Sequence, residues 1–158
     1  MKIKELAAAG ASGLFRVDEE TQLRAVEQVA GSAGMLFRVL DGRSMRTLDG
    51  VFAEFARQLE FPNYFGENWA ALDECITDLE WLDGTGYCIA IIHPDQIFAA
   101  AELDQSATLA KILVNAVREW SRPVEEGEAW DRPGRLFCVV FVTDQPSFGG
   151  YDVAPLRE

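Results

Sequence analysis

The sequence predicts an α/β fold in which helices pack on a mostly parallel sheet of three or four strands. Segments with β-strand composition alternate with segments whose apolar residues recur every three or four positions, as on one face of a helix. Two strand segments, Tyr87–Ile92 and Leu136–Val142, are almost continuously apolar, which is typical of strands buried on both faces of a parallel sheet. The length of 158 residues suits one domain of this kind.

The first half of the chain is predicted to form a strand, a helix, a strand and a helix. Gly13–Val17 is a β-rich run, and the acids that follow it from Asp18 are typical of a first helical turn. Met35–Leu40 is predicted to be a strand because an Asp-Gly pair stops a second β-rich run there. Met45–Leu59 is predicted to be a helix because its apolar residues are spaced by three and four, and Pro62 breaks the pattern.

The second half alternates in the same way. Trp69–Leu79 is predicted to be a helix capped by Asn68, whose side chain can accept a hydrogen bond from the first turn. The buried strand Tyr87–Ile92 follows, and a His-Pro pair then begins a short helix. Ser106–Trp120 carries a further apolar stripe, and Leu136–Val142 is the last predicted strand.

We divide the chain into three parts. Residues 35–143 are expected to form the main domain, with its three strands as parallel neighbours. Residues 1–34 are expected to form an N-terminal extension that adds a strand and a helix, and residues 144–158 an irregular tail. A polar loop is expected over residues 121–135, between the last helix and the last strand.

Charge and composition exclude several classes of protein. The formal net charge is -12, from 14 Lys+Arg and 26 Asp+Glu, so long-range repulsion disfavours direct binding to nucleic acid or to an anionic membrane. The sequence has no apolar run long enough for a membrane span or a signal peptide. The three cysteines lack the spacing of a disulfide framework or a zinc site. We therefore expect a cytoplasmic protein without metal or cofactor.

The excess of acids lies in the middle of the chain. Residues 58–110 contain ten acids and no Lys or Arg. The ten are Glu60, Glu67, Asp73, Glu74, Asp78, Glu80, Asp83, Asp95, Glu102 and Asp104. Such a surface either keeps the protein soluble or steers a cationic partner toward it. The concentration of charge in one third of the chain favours a cationic partner.

The predicted helix Trp69–Leu79 concentrates these acids on one face. Asp73, Glu74, Thr77 and Asp78 are neighbours on its outer surface, where like charges cost stability. Asp78 also lies near the helix C-terminus, where the helix dipole favours a cation, so a cationic partner would relieve this strain. Asp73 and Glu74 diverge by about 100° around the helix, which suits a broad acidic surface better than a pair of catalytic carboxylates. With a single histidine and no nucleophile motif, we expect no enzyme.

The segment 61–79 contains the motif Phe-Pro-x-Tyr-Phe-Gly-x-Asn-Trp-x-Ala-Leu-x-x-Cys, which begins at Phe61 and is followed by Thr77 and Asp78. With this motif the segment resembles the second-helix region of the barstar family, whose members are small intracellular inhibitors of secreted ribonucleases. The predicted order of elements over residues 35–142 is also similar to that of barstar. The resemblance implies a barstar-like fold for residues 35–143.

In that family the loop before this helix and the exposed face of the helix enter the active site of the ribonuclease. The resemblance therefore implies an inhibitor, or immunity protein, that blocks a basic secreted ribonuclease. Glu74 takes the place of the principal acid, which mimics an RNA phosphate, and Tyr64 that of a tyrosine that packs alongside. The implied partner-binding residues are Tyr64, Asn68, Trp69, Asp73, Glu74, Thr77, Asp78 and, as a peripheral acid, Glu119.

Two positions depart from the family's pattern. Ala70 stands where barstar has a second acid, and Asp73 stands where it has a tryptophan, as though the acid had moved one turn along the same face. These departures leave a second hypothesis open, a barstar-fold adaptor that binds a protein other than a nuclease. For either function we expect one solvent-exposed face that comprises Tyr64, Asp73, Glu74, Thr77 and Asp78.

Overall fold

Strands and helices alternate along the chain, as the apolar periodicity predicts. The computed structural model describes residues 1–8 and 10–158. The strands are β1 (Gly13–Val17), β2 (Leu36–Asp41), β3 (Gly86–Ile92), β4 (Leu136–Val142), β5 (Ser147–Phe148), β6 (Tyr151–Asp152) and β7 (Ala154–Pro155). The helices are α1 (Leu23–Ser32), α2 (Leu48–Gln58), α3 (Trp69–Asp78) and α4 (Ser106–Ser121).

The main sheet is parallel, with the strand order β2-β3-β4-β1-β7. The prediction that β2, β3 and β4 are parallel neighbours is confirmed, with Ala90 of β3 opposite Val39 of β2 and Val140 of β4. In the part of the chain that the structure describes, the sheet has five strands rather than three or four. The larger number arises because β1 pairs with β4 and β7 pairs with β1.

Each face of the sheet is covered by its own apolar core. Side chains of β3 alternate between the two faces, as they do in any strand. Tyr87, Ile89 and Ile91 pack in the core beneath α2, α3 and α4, whereas Cys88 and Ala90 pack in the core beneath α1. Since both faces are buried, nearly every residue of this strand is apolar.

The segment predicted as an N-terminal extension, residues 1–34, supplies β1 and α1. β1 lies between β4 and β7, so this segment takes part in the same sheet as the later strands. Leu23, Val26 and Ala30 of α1 are buried against the second face of that sheet. This leaves the other face to α2, α3 and α4, which carry the acidic segment.

The C-terminal segment is ordered, which corrects the prediction of an irregular tail over residues 144–158. β5 and β6 form an antiparallel pair, and β7 adds to the edge of the main sheet. Val153 is 3% exposed in one core and Leu156 is 4% exposed in the other. The prediction was wrong because strands of two residues are too short to show a periodicity that differs from that of a loop.

A buried carboxylate joins α2 to the end of β2. The side chain of Glu54 is 1% exposed, and its Oε2 accepts a hydrogen bond of 2.8 Å from the backbone N–H of Asp41. Its Oε1 accepts a hydrogen bond from the guanidinium of Arg57. A charged side chain can be buried here because both of its oxygens have donors.

Candidate functional site

α3 lies beside α4, and its apolar stripe faces the core as predicted. Leu72 and Ile76 are fully buried, and Cys75 is buried with them. The buried indole of Trp120 in α4 donates a hydrogen bond of 2.9 Å from Nε1 to the carbonyl oxygen of Ile76. This packing fixes which side of α3 faces solvent, and Glu74 is exposed on that side.

Asn68 caps the N-terminus of α3. Its Oδ1 accepts a hydrogen bond of 2.8 Å from the backbone N–H of Ala71, and its Nδ2 donates one of 3.3 Å to the carbonyl oxygen of Gly66. The neighbouring Glu67 has a φ of 51°, which places a non-glycine residue in the left-handed region. Asn68 therefore shapes the loop that carries Tyr64.

This loop places Tyr64 beside the acidic end of α3. The side chain is 66% exposed. Partial desolvation raises the pKa of the Tyr64 hydroxyl, and the negative charges of Asp78, Glu80 and Glu74 raise it further. The hydroxyl therefore stays protonated and can donate a hydrogen bond within a group of carboxylates. The carboxylates that act on Tyr64 thus include those of Glu74 and Asp78, two residues of the expected exposed face.

Thr77 and Asp78 are half-buried, so they are less accessible than the predicted solvent-exposed face requires. The hydroxyl of Thr77 donates a hydrogen bond of 2.8 Å to the carbonyl oxygen of Asp73, in the preceding turn of the helix. The backbone of this last turn is covered by Arg132, whose Nη2 lies 3.0 Å from the carbonyl oxygen of Thr77. Both residues still line the surface near Glu74.

Arg132 supplies a cation at the C-terminus of α3. Its guanidinium carbon lies 3.7 Å from the centroid of the Trp120 ring, so the cation contacts both an aromatic face and the helix end. Burial lowers the pKa of Arg132, whereas nearby negative charges, including those of Asp78 and Glu119, act in the opposite direction. The helix dipole is thus compensated by the chain itself, where the sequence suggested a partner's cation.

Glu119 lies on α4 and is half-buried. Its carboxylate is 3.7 Å from the guanidinium of Arg122, an exposed pair of the kind that contributes little to stability. Glu119 does not line the groove beside Glu74, so its expected role as a peripheral acid stays a prediction.

Trp69 and Asp73 face α4, so the structure does not bring them to the surface around Glu74. The Nε1 of Trp69 donates a hydrogen bond of 3.0 Å to Oε1 of Gln105, and its ring packs edge-on against an aromatic ring of α2. The Oδ1 of Asp73 accepts a hydrogen bond of 3.0 Å from Nδ2 of Asn115. Both line an open groove of 520 Å³ between α3 and α4. The expected single exposed face is therefore wrong for Asp73, which is half-buried.

A second groove, of 580 Å³, separates the C-terminal half of α3 from loop 121–135. We call it the acidic groove because several carboxylates line it. These carboxylates belong to Glu74, Asp78, Glu80, Asp83 and Asp131. The exposed indole of Trp130 and the guanidinium groups of Arg132 and Arg135 also line it. The position of this loop beside α3 was not predicted from the sequence, although a tryptophan within an otherwise polar loop is a signal that could have indicated a contact surface.

Within residues 1–8 and 10–158, no group of three or more His, Cys, Asp or Glu side chains is arranged to hold a metal ion. Burial raises the pKa of the Cys138 thiol to about 12, and it also raises the pKa of Cys88, so neither thiol is an activated nucleophile. Among the helices described, none is long and apolar enough to cross a membrane.

Comparison with known proteins agrees with this architecture. A model of the family described as Barstar (barnase inhibitor) matches residues 35–141. No curated protein sequence gives a significant match to the chain. The matched segment spans more than half of the chain and contains α2, the acidic helix α3 and α4 between parallel strands. From this match and from the motif around Tyr64, we conclude that the protein belongs to the barstar family.

Proposed function

We propose that this protein inhibits a basic secreted ribonuclease by inserting the exposed face of α3 into the enzyme's active site. The observation that supports this most directly is the exposed carboxylate of Glu74, on a helix whose opposite side is buried. A ribonuclease active site is cationic because it binds phosphate. Carboxylates can pair with its Arg, Lys and His groups without offering a bond that the enzyme can cleave.

We expect different acids to control the association and the dissociation of the complex. The acids of residues 58–110 create a negative field that accelerates encounter with a cationic enzyme. Once the complex has formed, ion pairs that are buried and fully hydrogen-bonded slow its dissociation. We assign Glu74 to the control of dissociation, because it is exposed on the side of α3 away from the core and takes the place of the principal acid in the family resemblance.

We assign the other predicted site residues two kinds of role. Those that contact the enzyme around Glu74 are Tyr64, Thr77, Asp78 and, at the periphery, Glu119. Those that position α3 and its loop are Asn68, Trp69 and Asp73. Residues 35–143 carry the inhibitory surface, and the segments on either side complete the sheet beneath it. The inhibitor acts in the cytoplasm, where it protects cellular RNA from the ribonuclease before export.

The test is inhibition of RNA hydrolysis by a panel of basic ribonucleases that includes barnase and the secreted ribonucleases of the source organism. We expect stoichiometric inhibition of at least one enzyme. Glu74→Ala should weaken that complex by more than about 2 kcal/mol, because a desolvated cation of the enzyme loses its partner. Glu102→Ala removes the same charge from an exposed position outside α3 and is the matched control for the dissociation rate, which it should leave unchanged. If no enzyme of the panel is inhibited, the proposal is wrong.

The adaptor hypothesis has one observation in its favour. Asp73 bonds to Asn115, so it does not restore the second acid that Ala70 lacks on the surface around Glu74. The adaptor hypothesis is supported if the wild-type protein binds a partner that has no ribonuclease activity and Glu74→Ala abolishes this binding. If Glu74→Ala leaves the dissociation rate of a ribonuclease complex unchanged, α3 is not the contact surface.

A further inference from the structure

We infer that loop 121–135 forms a second wall of the ribonuclease-binding surface, with Trp130 as its anchor. The inference rests on the proposed function and adds a contact outside α3 and the Tyr64 loop. The side chain of Trp130 is 64% exposed and lines the acidic groove together with Glu74. Exposed tryptophans that become buried on binding are among the residues that contribute most to protein interfaces.

Hydrogen bonds within the loop hold this indole in a defined position. The backbones of Val124 and Arg132 exchange hydrogen bonds of 2.8 Å and 3.1 Å. The carboxylate of Asp131 accepts hydrogen bonds of 2.9 Å and 2.8 Å from the backbone N–H groups of Glu126 and Gly127. Because the loop is already ordered, its contact with a partner costs little conformational entropy.

The loop is also attached to the site itself. Arg132 bonds to the last turn of α3, and the backbone N–H of Arg135 donates a hydrogen bond of 2.7 Å to the carbonyl oxygen of Trp120. The Nε1 of Trp130 donates a hydrogen bond of 2.9 Å to Oε2 of Glu126, which directs its polar edge to the loop. The apolar ring faces solvent beside the carboxylates of α3.

The charge around the indole is complementary to a cationic protein surface. Acids outnumber bases around the indole: the acidic groove is lined by five acids, Glu74, Asp78, Glu80, Asp83 and Asp131, and by the two bases Arg132 and Arg135. The loop adds the acids Glu125, Glu126 and Glu128 and the base Arg122. A Lys or Arg side chain that borders the ribonuclease active site can pair with these carboxylates and lie against the indole face. The same charges repel nucleic acid, so the occupant is the enzyme and not its RNA substrate. Trp130 thereby contacts the rim of the active site, while Glu74 contacts its phosphate-binding centre.

The experiment compares binding kinetics of Trp130→Ala and Leu103→Ala with the ribonuclease of the panel that wild-type protein inhibits. Leu103 is 65% exposed and precedes α4, away from the acidic groove, so it is a matched exposed apolar residue. Trp130→Ala should raise the dissociation rate more than about tenfold, whereas Leu103→Ala should change it less than about twofold. Unchanged thermal unfolding of both variants shows that they remain folded.

Tryptophan fluorescence supplies a second measurement. Burial of the exposed indole should shift the emission to shorter wavelength when the complex forms, and Trp130→Phe should remove that shift. The inference is overturned if Trp130→Ala binds as tightly as Leu103→Ala while Glu74→Ala binds weakly, and the proposed function then stands. If wild-type protein inhibits no enzyme of the panel, the proposed function fails and this inference fails with it.

Discussion

Arg132 donates a hydrogen bond to the carbonyl oxygen of Thr77, with Nη2 and the oxygen 3.0 Å apart. Carbonyl groups in the last turn of a helix have no partner within the helix. The guanidinium provides one, and it also lies against the ring of Trp120. The chain therefore stabilises the C-terminal end of its acidic helix with its own cation. The carboxylate of Glu74 stays exposed to solvent.

Arg132→Ala should lower the free energy of unfolding by about 1–3 kcal/mol, because it removes a charge-assisted hydrogen bond and a cation–π contact. Chemical denaturation of the variant and of wild-type protein measures the difference. Arg118→Ala, which removes an exposed arginine of α4, is the control and should change the free energy by less than about 0.5 kcal/mol. Equal effects of the two substitutions would show that the bond to Thr77 does not stabilise the fold.

Asn68→Ala should lower the free energy of unfolding by about 1 kcal/mol, because the N–H of Ala71 loses its side-chain acceptor. Asn68→Asp should retain most of the stability, since a carboxylate also caps a helix N-terminus. Thermal unfolding of both variants provides the measurement. Asn63→Ala changes an exposed asparagine in the preceding loop and serves as the control. A loss as large for Asn68→Asp as for Asn68→Ala would contradict the capping role.

The sequence predicted well those elements whose burial leaves a repeated pattern. β3 was predictable because both of its faces are buried, and α3 because a cap precedes a regular apolar stripe. The surface around Glu74 followed from the family resemblance. The orientation of Asp73 toward Asn115 and the position of Arg132 did not follow, because each depends on how segments distant in sequence pack together. Local periodicity contains no information about such contacts.

In the proposed ribonuclease complex, Glu102→Ala should change mainly the association rate, because this exposed acid lies outside α3. The change should shrink as ionic strength rises from about 0.01 M to about 1 M, since the Debye length falls from about 30 Å to about 3 Å. Stopped-flow kinetics at low and high salt measure both rates. An effect on dissociation that persists at high salt would instead place Glu102 within the contact surface.

Acidification should loosen loop 121–135. Hydrogen bonds from the backbone N–H groups of Glu126 and Gly127 lower the pKa of Asp131 below its ordinary value of 3.8. Because the folded state favours the charged form, the stabilisation from these hydrogen bonds is fully present at pH values well above 3.8 and is lost as the pH falls through the lower folded value. The stability difference between wild-type protein and Asp131→Asn should therefore be constant above about pH 5 and shrink below it. Urea denaturation across this range is the measurement, and a difference that grows on acidification would refute the assignment.

The pairing of β1 with β4 has a consequence for biosynthesis. Gly13 lies opposite Cys138, so β1, which is translated first, cannot pair with β4 until β4 has been translated. Contacts of such long sequence separation form slowly. A nascent chain that ends before β4 leaves one edge of β3 without its neighbour and the apolar residues of β1 without a sheet. The complete sheet that supports α3 is therefore assembled only after β4 has left the ribosome.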